Sequence, residues 1–235
     1  MIDIHSHILP LVDDGPKKLA SSVAIVRKLV EQGVTDIIAT PHYVAETNFV
    51  SPKAQNQRVL AVVKKAVAVE GLKVNIYLGN EIYIDDKITA LLEAGKLSTL
   101  ADSEYLLVEL PLDEEFPNYK DILRDLLESG YRVILAHPER YTLVQKDFSI
   151  LDELHELGIL FQCNIASILG KYGKGAKKTV KKIIKKNLVF AFGSDIHHAS
   201  KTDYIALSQK KLAKYYSESE LKRLLVTNPG KIIGR

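Results

Sequence analysis

Cysteine is almost missing: Cys163 is the only one in 235 residues. A disulfide within the chain is therefore excluded, and a reducing compartment is expected. Long apolar runs are missing too, since none approaches the ~20 residues needed to cross a bilayer. Met1 leads directly into an apolar strand pattern with no basic segment ahead of it, so a cytoplasmic protein without membrane insertion is expected. No stretch rich in Pro, Gly or Ser divides the chain, and its composition does not shift, which predicts a single domain over residues 1–235. Neither sign of charge dominates: 32 Lys and Arg stand against 29 Asp and Glu, and a net charge of +3 is too small to argue for nucleic acid. With 46% hydrophobic and 26% charged residues, the composition is that of a globular domain.

What is present is a repeating unit: a short apolar run, a Gly or polar turn, then a segment of helical period. Strand patterns fall at 1–4, 34–40, 74–78, 105–110, 132–136, 160–163 and 188–192. Most are continuously apolar, as strands covered on both faces of a parallel sheet must be. Between them, Leu19, Val23, Val26 and Val30, then Val59, Val63 and Ala66, then Ile122, Leu123, Leu126 and Leu127 recur at helical spacing. Gly33, Gly130, Gly158 and Asn187 each stand where a left-handed residue would end a helix. Seven such units predict an α/β fold, a distorted TIM-like (β/α)7 barrel with a metal site at the carboxyl ends of its strands. Near the end, Ser217-Glu218-Ser219-Glu220 is a capping-box pattern ahead of Leu221, Leu224 and Leu225, and Asn228-Pro229-Gly230 is expected to break the helix it starts.

Chemistry-bearing residues gather at those strand ends. His5 and His7 alternate on the first strand, so both imidazoles fall on one side. His42 follows the second strand, Glu81 the third, Glu109 the fourth, His137 and Arg140 the fifth, and Asp195 and His197 the seventh. Neutral imidazoles and carboxylates without thiolates suit manganese, zinc or iron, and so many ligands exceed one ion, implying two or three. His-x-His alone is a weak signal, and one Glu at a strand end is ordinarily a solvated residue; alignment with five histidines at other strand ends changes the balance. His155 reads as an exposed helix residue. His198 and Asn164 are supporting candidates, and Tyr43, Tyr83, Phe116 and Tyr141 could line an aromatic pocket, though aromatics there are commonly core. Lysines paired at 177–178, 181–182 and 185–186 surround Val180, Ile183 and Ile184, giving a helix with a cationic face that solvation alone would explain; attraction of an acidic, phosphorylated peptide is the functional reading.

His5-Ser-His7-Ile-Leu-Pro, Asp13-Asp14-Gly15-Pro16, Ala39-Thr40-Pro41-His42, Asn80-Glu81-Ile82, Glu109-Leu110-Pro111, Ala136-His137-Pro138-Glu139-Arg140-Tyr141, Gln162-Cys163-Asn164 and Ser194-Asp195-Ile196-His197 run in order through the chain. Together they resemble the polymerase and histidinol phosphatase (PHP) superfamily, and within it the bacterial capsule and exopolysaccharide tyrosine-protein phosphatases. The resemblance implies a manganese-dependent trinuclear site. It assigns His5, His7, Glu81 and Asp195 to one ion, Glu81, Glu109 and His137 to a second, and Asp14, His42 and His197 to a third, with Asp13 the neighbouring alternative to Asp14. It implies catalytic roles for Arg140, Glu109 and His42, with the Arg140 fork binding substrate phosphate. Where the family carries a second arginine, this chain has Lys201, which supplies charge without the bidentate geometry.

The implied activity is hydrolysis of protein phosphotyrosine by a metal-activated hydroxide, and the implied partner is the phosphotyrosine-bearing bacterial tyrosine kinase of polysaccharide synthesis. A cysteine nucleophile is ruled out, because position 169, six after Cys163, is Leu and not the arginine of a Cys-x5-Arg loop. Two alternatives stand beside this one: a small-molecule phosphomonoesterase of the histidinol phosphatase type, and a metal-stabilised regulatory module without turnover.

Overall fold

Apolar, β-branched runs bounded by Gly, Pro or Asn make the strands, and in the computed structural model, which describes residues 1–114, 116–199 and 204–235, every ladder is parallel. The first half contains β1 (Ile2–Ser6), α1 (Leu19–Glu31), β2 (Asp36–Ala39), β3 (His42–Tyr43), α2 (Lys53–Val69), β4 (Asn75–Leu78), β5 (Glu81–Tyr83), α3 (Ile88–Glu93) and β6 (Tyr105–Glu109). The second half adds α4 (Tyr119–Glu128), β7 (Arg132–Ala136), α5 (Thr142–Lys146), α6 (Ser149–Glu156), β8 (Leu160–Asn164), α7 (Gly173–Lys185), β9 (Val189–Gly193), α8 (Tyr204–Leu212), α9 (Glu218–Lys222) and α10 (Asn228–Ile232). Gly33, Gly130, Gly158 and Asn187 all take positive φ between a helix and the following strand, as their positions in the sequence require.

The ladders run β1-β2-β4 and β3-β5-β6-β7-β8-β9. Seven strand patterns have thus become nine segments, because two strands break and resume. The second, expected unbroken over 34–40, stops at Ala39 and restarts at His42, since Pro41 has no N–H to donate to a ladder. The third, expected over 74–78, restarts at Glu81. Asn80 bridges the gap: its side-chain amide donates to Pro41 O at 3.0 Å and its carbonyl accepts Ser98 N–H at 2.9 Å. These breaks turn His42 and Glu81 into the first residues of short strands paired directly with each other.

The sheet also curves. Along β6 and β7, Leu106, Val108, Val133 and Leu135 pack with the helices, sharing a cluster with Leu29, Val63, Leu126 and Ile183. Their alternates Tyr105, Leu107, Ile134 and Ala136 join Ile2, Ile4, Ile38 and Ala191 from distant strands. Residues of β1, β2, β6, β7 and β9 meet in one cluster only if the sheet bends round to bring them together. The ends meet as well: Ser6 bridges Ile196 just past β9, His7 N–H donates to Ile196 O at 3.0 Å, and Asp195 N–H donates to His5 O at 2.9 Å.

One expectation fails at the chain end. The Ser217 capping box is present and starts α9, but Asn228-Pro229-Gly230 does not break the helix; a wider π turn over Arg223–Thr227 leads into α10. Proline fits there because a helix's first turn has no use for the missing N–H. Asn228 stays buried, its amide donating to Phe190 O at 2.8 Å.

Gly193 couples this frame to what lies above it. A β-carbon there would stand 2.8 Å from His5 Cβ and 2.9 Å from Gln162 Nε2. Gly193→Ala should cost about 1–3 kcal/mol of stability, and by displacing His5 should weaken divalent-cation uptake in protein that remains folded. Thermal unfolding and a manganese titration test the two effects separately.

Candidate metal centre

The strand ends bring all nine suggested ligands to one rim. His5 Nε2 and His7 Nε2 are 3.2 Å apart, and each is 3.1 Å from Glu81 Oε2 and 3.6 Å from Asp195 Oδ1. His137 Nε2 lies 2.9 Å from Glu81 Oε1 and 3.4 Å from Glu109 Oε1. His42 Nδ1 is 3.1 Å from Glu81 Oε2 and 3.7 Å from Glu109 Oε2, while Asp14 Oδ1 sits 3.1 Å from His197 Nε2 and 3.7 Å from His42 Nε2. Three groups form by this geometry: His5, His7 and Glu81; His42, Glu81 and Glu109; and His7, Asp14, His42 and His197. They share His7, His42 and Glu81, so the cluster is continuous. His42 joins the Glu81–Glu109 pair as well as the outer group, a sharing that residue spacing did not indicate.

Orphaned atoms test whether cations fit. Glu81 Oε2 and His42 Nδ1 are buried without a hydrogen bond, although three imidazole nitrogens stand 3.1 Å from that oxygen. Buried polar atoms normally find partners. A carboxylate oxygen ringed by imidazole nitrogens, with a hydrogen bond to none of them, is an arrangement that a divalent cation would satisfy. The donor set therefore fits two or more ions of the manganese, zinc or iron type.

Behind the ligands, polar groups fix which ring nitrogen faces inward. Asp13 Oδ2 accepts His7 Nδ1–H at 2.7 Å and His42 N–H at 3.2 Å, and its Oδ1 accepts Gly15 N–H at 2.9 Å. Asp13 is thus committed to orienting His7, leaving half-exposed Asp14 to face His42 and His197. His5 Nδ1 meets Gln162 Oε1 at 2.8 Å; Gln162 Nε2 donates to Asn164 Oδ1 at 3.0 Å; Asn164 Nδ2 donates to Asp195 Oδ2 at 2.6 Å. Gln162 has no role readable from spacing alone, because a buried amide within a strand gives no periodic signal. Buried Glu139 accepts Asn164 N–H at 2.9 Å and Ser167 Oγ–H at 2.6 Å, which pins the relay.

Arg140 is poised over the cavity. Its guanidinium donates to Asp195 Oδ2 at 2.9 Å and lies 4.7 Å from the Tyr172 ring centroid. The cavity is about 860 Å³ and is lined by Asp14, His42, Glu81, Glu109, His137, Arg140, Asp195 and His197, together with Phe49, Tyr83, Lys171, Tyr172 and His198. The suggested aromatic pocket needs correcting. Only Tyr83 of that quartet lines the cavity; Tyr43 and Tyr141 are core, and Phe116 packs against the core. Tyr141 OH donates to Ala136 O at 2.6 Å and accepts Leu110 N–H at 3.0 Å, a role that turns it away from the mouth. Phe49 and Tyr172 stand there instead; neither follows a strand directly, so strand-end reading passes over them. His155 is exposed on α6, and Lys201 lies outside the described residues.

Electrostatics follow from crowding. Burial first, then the charges of Glu81 and Asp195, push the Glu109 carboxyl up to about 9. Glu81 moves the other way despite its burial, because His5, His42 and His137 surround it. His5 and His7 are raised against burial by Glu81, Asp195 and Asp13. Asp14, although partly buried, is drawn down to about 2 by His197.

A curved parallel α/β sheet with a polynuclear cation site at its carboxyl rim defines a class of metal-dependent hydrolases. More narrowly, residues 1–234 match the capsular polysaccharide synthesis CpsB/CapC family model, and the chain belongs to that family. CapC of Staphylococcus aureus is 34% identical over 97% of this chain and 92% of its own. The tyrosine-protein phosphatase CpsB of Streptococcus pneumoniae is 32% identical over 99% of this chain and 98% of its own. Among solved structures, one from work on YwqE of Bacillus subtilis and CpsB of S. pneumoniae, described as unique metal-dependent tyrosine phosphatases, superposes with a TM-score of 0.91 at 30% identity, covering 99% of this chain and 94% of that one.

Two outcomes follow from this geometry. Asp13→Asn keeps the shape but removes the charge that holds the His7 tautomer, so cation affinity should fall about 10–100-fold with the fold intact, as calorimetry and circular dichroism would report. Metal-free Glu109 holds its proton below about 9 and must lose it to bind a cation. Cation uptake near neutral pH should therefore release protons and strengthen as pH rises, and calorimetry in buffers of different ionisation enthalpy should show a smaller release in Glu109→Gln, the raised His5 and His7 still giving up theirs.

Proposed function

We propose that this chain is a metal-dependent protein-tyrosine phosphatase acting in capsular or exopolysaccharide synthesis. The observation that carries the reading is a rim of His, Asp and Glu side chains placed beside one arginine fork over an open cavity. In the assignment proposed, His5, His7, Glu81 and Asp195 hold one ion, Glu81, Glu109 and His137 a second, and Asp14, His42 and His197 a third. Manganese is the proposed resident. Bound divalent ions would acidify water and withdraw charge from phosphate oxygens.

The chain's own groups do the rest. Arg140 exchanges Asp195 for substrate, its two parallel N–H groups matching two phosphate oxygens while the Tyr172 ring keeps the guanidinium plane in place. Glu109 and His42, facing the cavity, position the reacting water against the phosphate. The phenol leaves toward Phe49, Tyr83 and Tyr172, whose faces accommodate an aryl ring. Cys163 takes no part: it is fully buried, and burial pushes its thiol well up, away from the thiolate a nucleophile must be. Supporting the assignment to phosphotyrosine are the names of relatives that match nearly the whole chain. The proposed partner is the tyrosine kinase of the polysaccharide machinery, met in the cytoplasm; no helix among the described residues is long and apolar enough to cross a membrane.

Chelation should abolish hydrolysis of an aryl phosphate and manganese should restore it; full activity in a metal-free sample would overturn the mechanism. Arg140→Lys should lower kcat/KM on a phosphotyrosyl peptide about 10²-fold, because a point charge cannot replace the fork. A faster rate on histidinol phosphate than on that peptide would transfer the site to small phosphomonoesters.

A further inference from the structure

Basic charge is concentrated in one part of the chain. Residues 157–194 hold eight lysines and no Asp or Glu, although the whole chain carries only +3. Most of that charge rides on α7, which buries Ala176, Thr179, Val180, Ile183 and Ile184 and turns the lysines outward. On the outward side Lys174, Lys177, Lys178, Lys181, Lys182 and Lys185 line a shallow groove of about 430 Å³. Among the described residues no carboxylate forms an ion pair with any of these six; the nearest such pair is Lys186 with Asp152, just past the helix. Ordinary solvated helices interleave both signs to offset self-repulsion. This one does not.

Its position relative to the metal centre gives the charge a direction. α7 packs on the turn Pro138–Arg140 that carries the phosphate-binding arginine. The two residues ahead of it, Lys171 and Tyr172, line the active cavity. The cationic helix therefore starts directly after two residues of the cavity wall. Thirteen helical residues span about 20 Å, the length of about six residues of extended peptide.

We propose that this face docks an acidic segment of the same polypeptide whose phosphotyrosine enters the metal centre, making α7 the element that selects among phosphotyrosyl sequences. The proposal rests on the phosphatase reading above and adds the class of substrate: a phosphotyrosine with Asp, Glu or further phosphates within about six to eight residues on one side. Charge complementarity and continuity with the cavity favour a peptide. A lipid surface would call for apolar side chains beside the lysines, and none of the large exposed hydrophobics, Leu11, Val50, Val62, Val69, Leu207 and Val226, belongs to α7.

The experiment compares three substrates on the manganese-loaded protein: p-nitrophenyl phosphate, a phosphotyrosyl peptide flanked on one side by four glutamates, and the same peptide with glutamines. Wild-type kcat/KM should favour the acidic peptide about tenfold or more at low ionic strength, and the preference should collapse in high salt. A Lys174→Gln, Lys178→Gln, Lys185→Gln triple variant, at exposed positions and with similar helix propensity, should lose that preference. Its rates on p-nitrophenyl phosphate and the neutral peptide should not change. Equal wild-type rates on the two peptides, a preference surviving the triple change, or an equal loss on all three substrates overturns the proposal alone. Loss of retention on anionic phosphatidylserine vesicles with peptide rates unchanged also overturns it and assigns the face to a membrane surface. A wild-type protein that fails on p-nitrophenyl phosphate overturns the phosphatase reading itself, and the docking proposal with it.

Discussion

Crowding of negative charge at a largely buried rim is the constraint on which this molecule turns. Glu81, fully buried, has four imidazoles within 3.1 Å, and the Glu109 and Asp195 carboxylates add their charge to the same small volume. Burial and the charges of Glu81 and Asp195 raise the proton affinity of Glu109, while the imidazoles around Glu81 and Asp195 hold those two carboxyls down. Holding the arrangement costs stability that a simpler hydrophobic rim would not lose. Cations relieve the repulsion, so the tendency that destabilises the bare site becomes the source of affinity for metal.

That cost explains how much of the surrounding structure is devoted to holding side chains still. His137 and Asp195 both take positive φ, a conformation disfavoured for residues with a β-carbon, at the turns where their strands end. Such strain persists where neighbours over-determine it. Asp195 is held by Asn164 and Arg140 through its carboxylate and by His5 through its backbone N–H. Asn164 is held in turn by Glu139. The polar relay from His5 through Gln162 to Asp195 therefore links two candidate ligands on different strands, and a change at any member should be felt at both ends.

Legibility in the sequence divides along the same line. Parallel strands buried on both faces write themselves as continuous apolar runs, and chemistry-bearing residues stand at or just past their ends, so the α/β repeat and the gathering of His5, His7, Glu81, Glu109 and Asp195 at one rim could be read from the residues alone. Strand interruption was hidden: Thr40-Pro41 and Gly79-Asn80 look like ordinary turn residues, and only the hydrogen bonds of Asn80 reveal that the strands resume beyond them. Tyr141 and Tyr43 resembled pocket residues because exposure of an aromatic after a strand depends on where its neighbours stand. Tyr172 and Phe49, on segments between elements, carried no periodic cue. Proline at 229 was read as a stop, although proline at the start of a helical turn is compatible with continuation.

Charge segregation completes the physical picture. The rim gathers buried acids, while the helix packed against its arginine turn gathers only lysines, so opposite potentials adjoin across a few residues of chain. An anionic phosphate would be repelled by a bare carboxylate rim, and cations held there would reverse that sign. Asp195 stands between the two functions, within 3.6 Å of both His5 and His7 on one oxygen and accepting the arginine on the other. A cation held beside Asp195 would draw charge from its carboxylate and loosen its hold on Arg140, leaving the fork to phosphate.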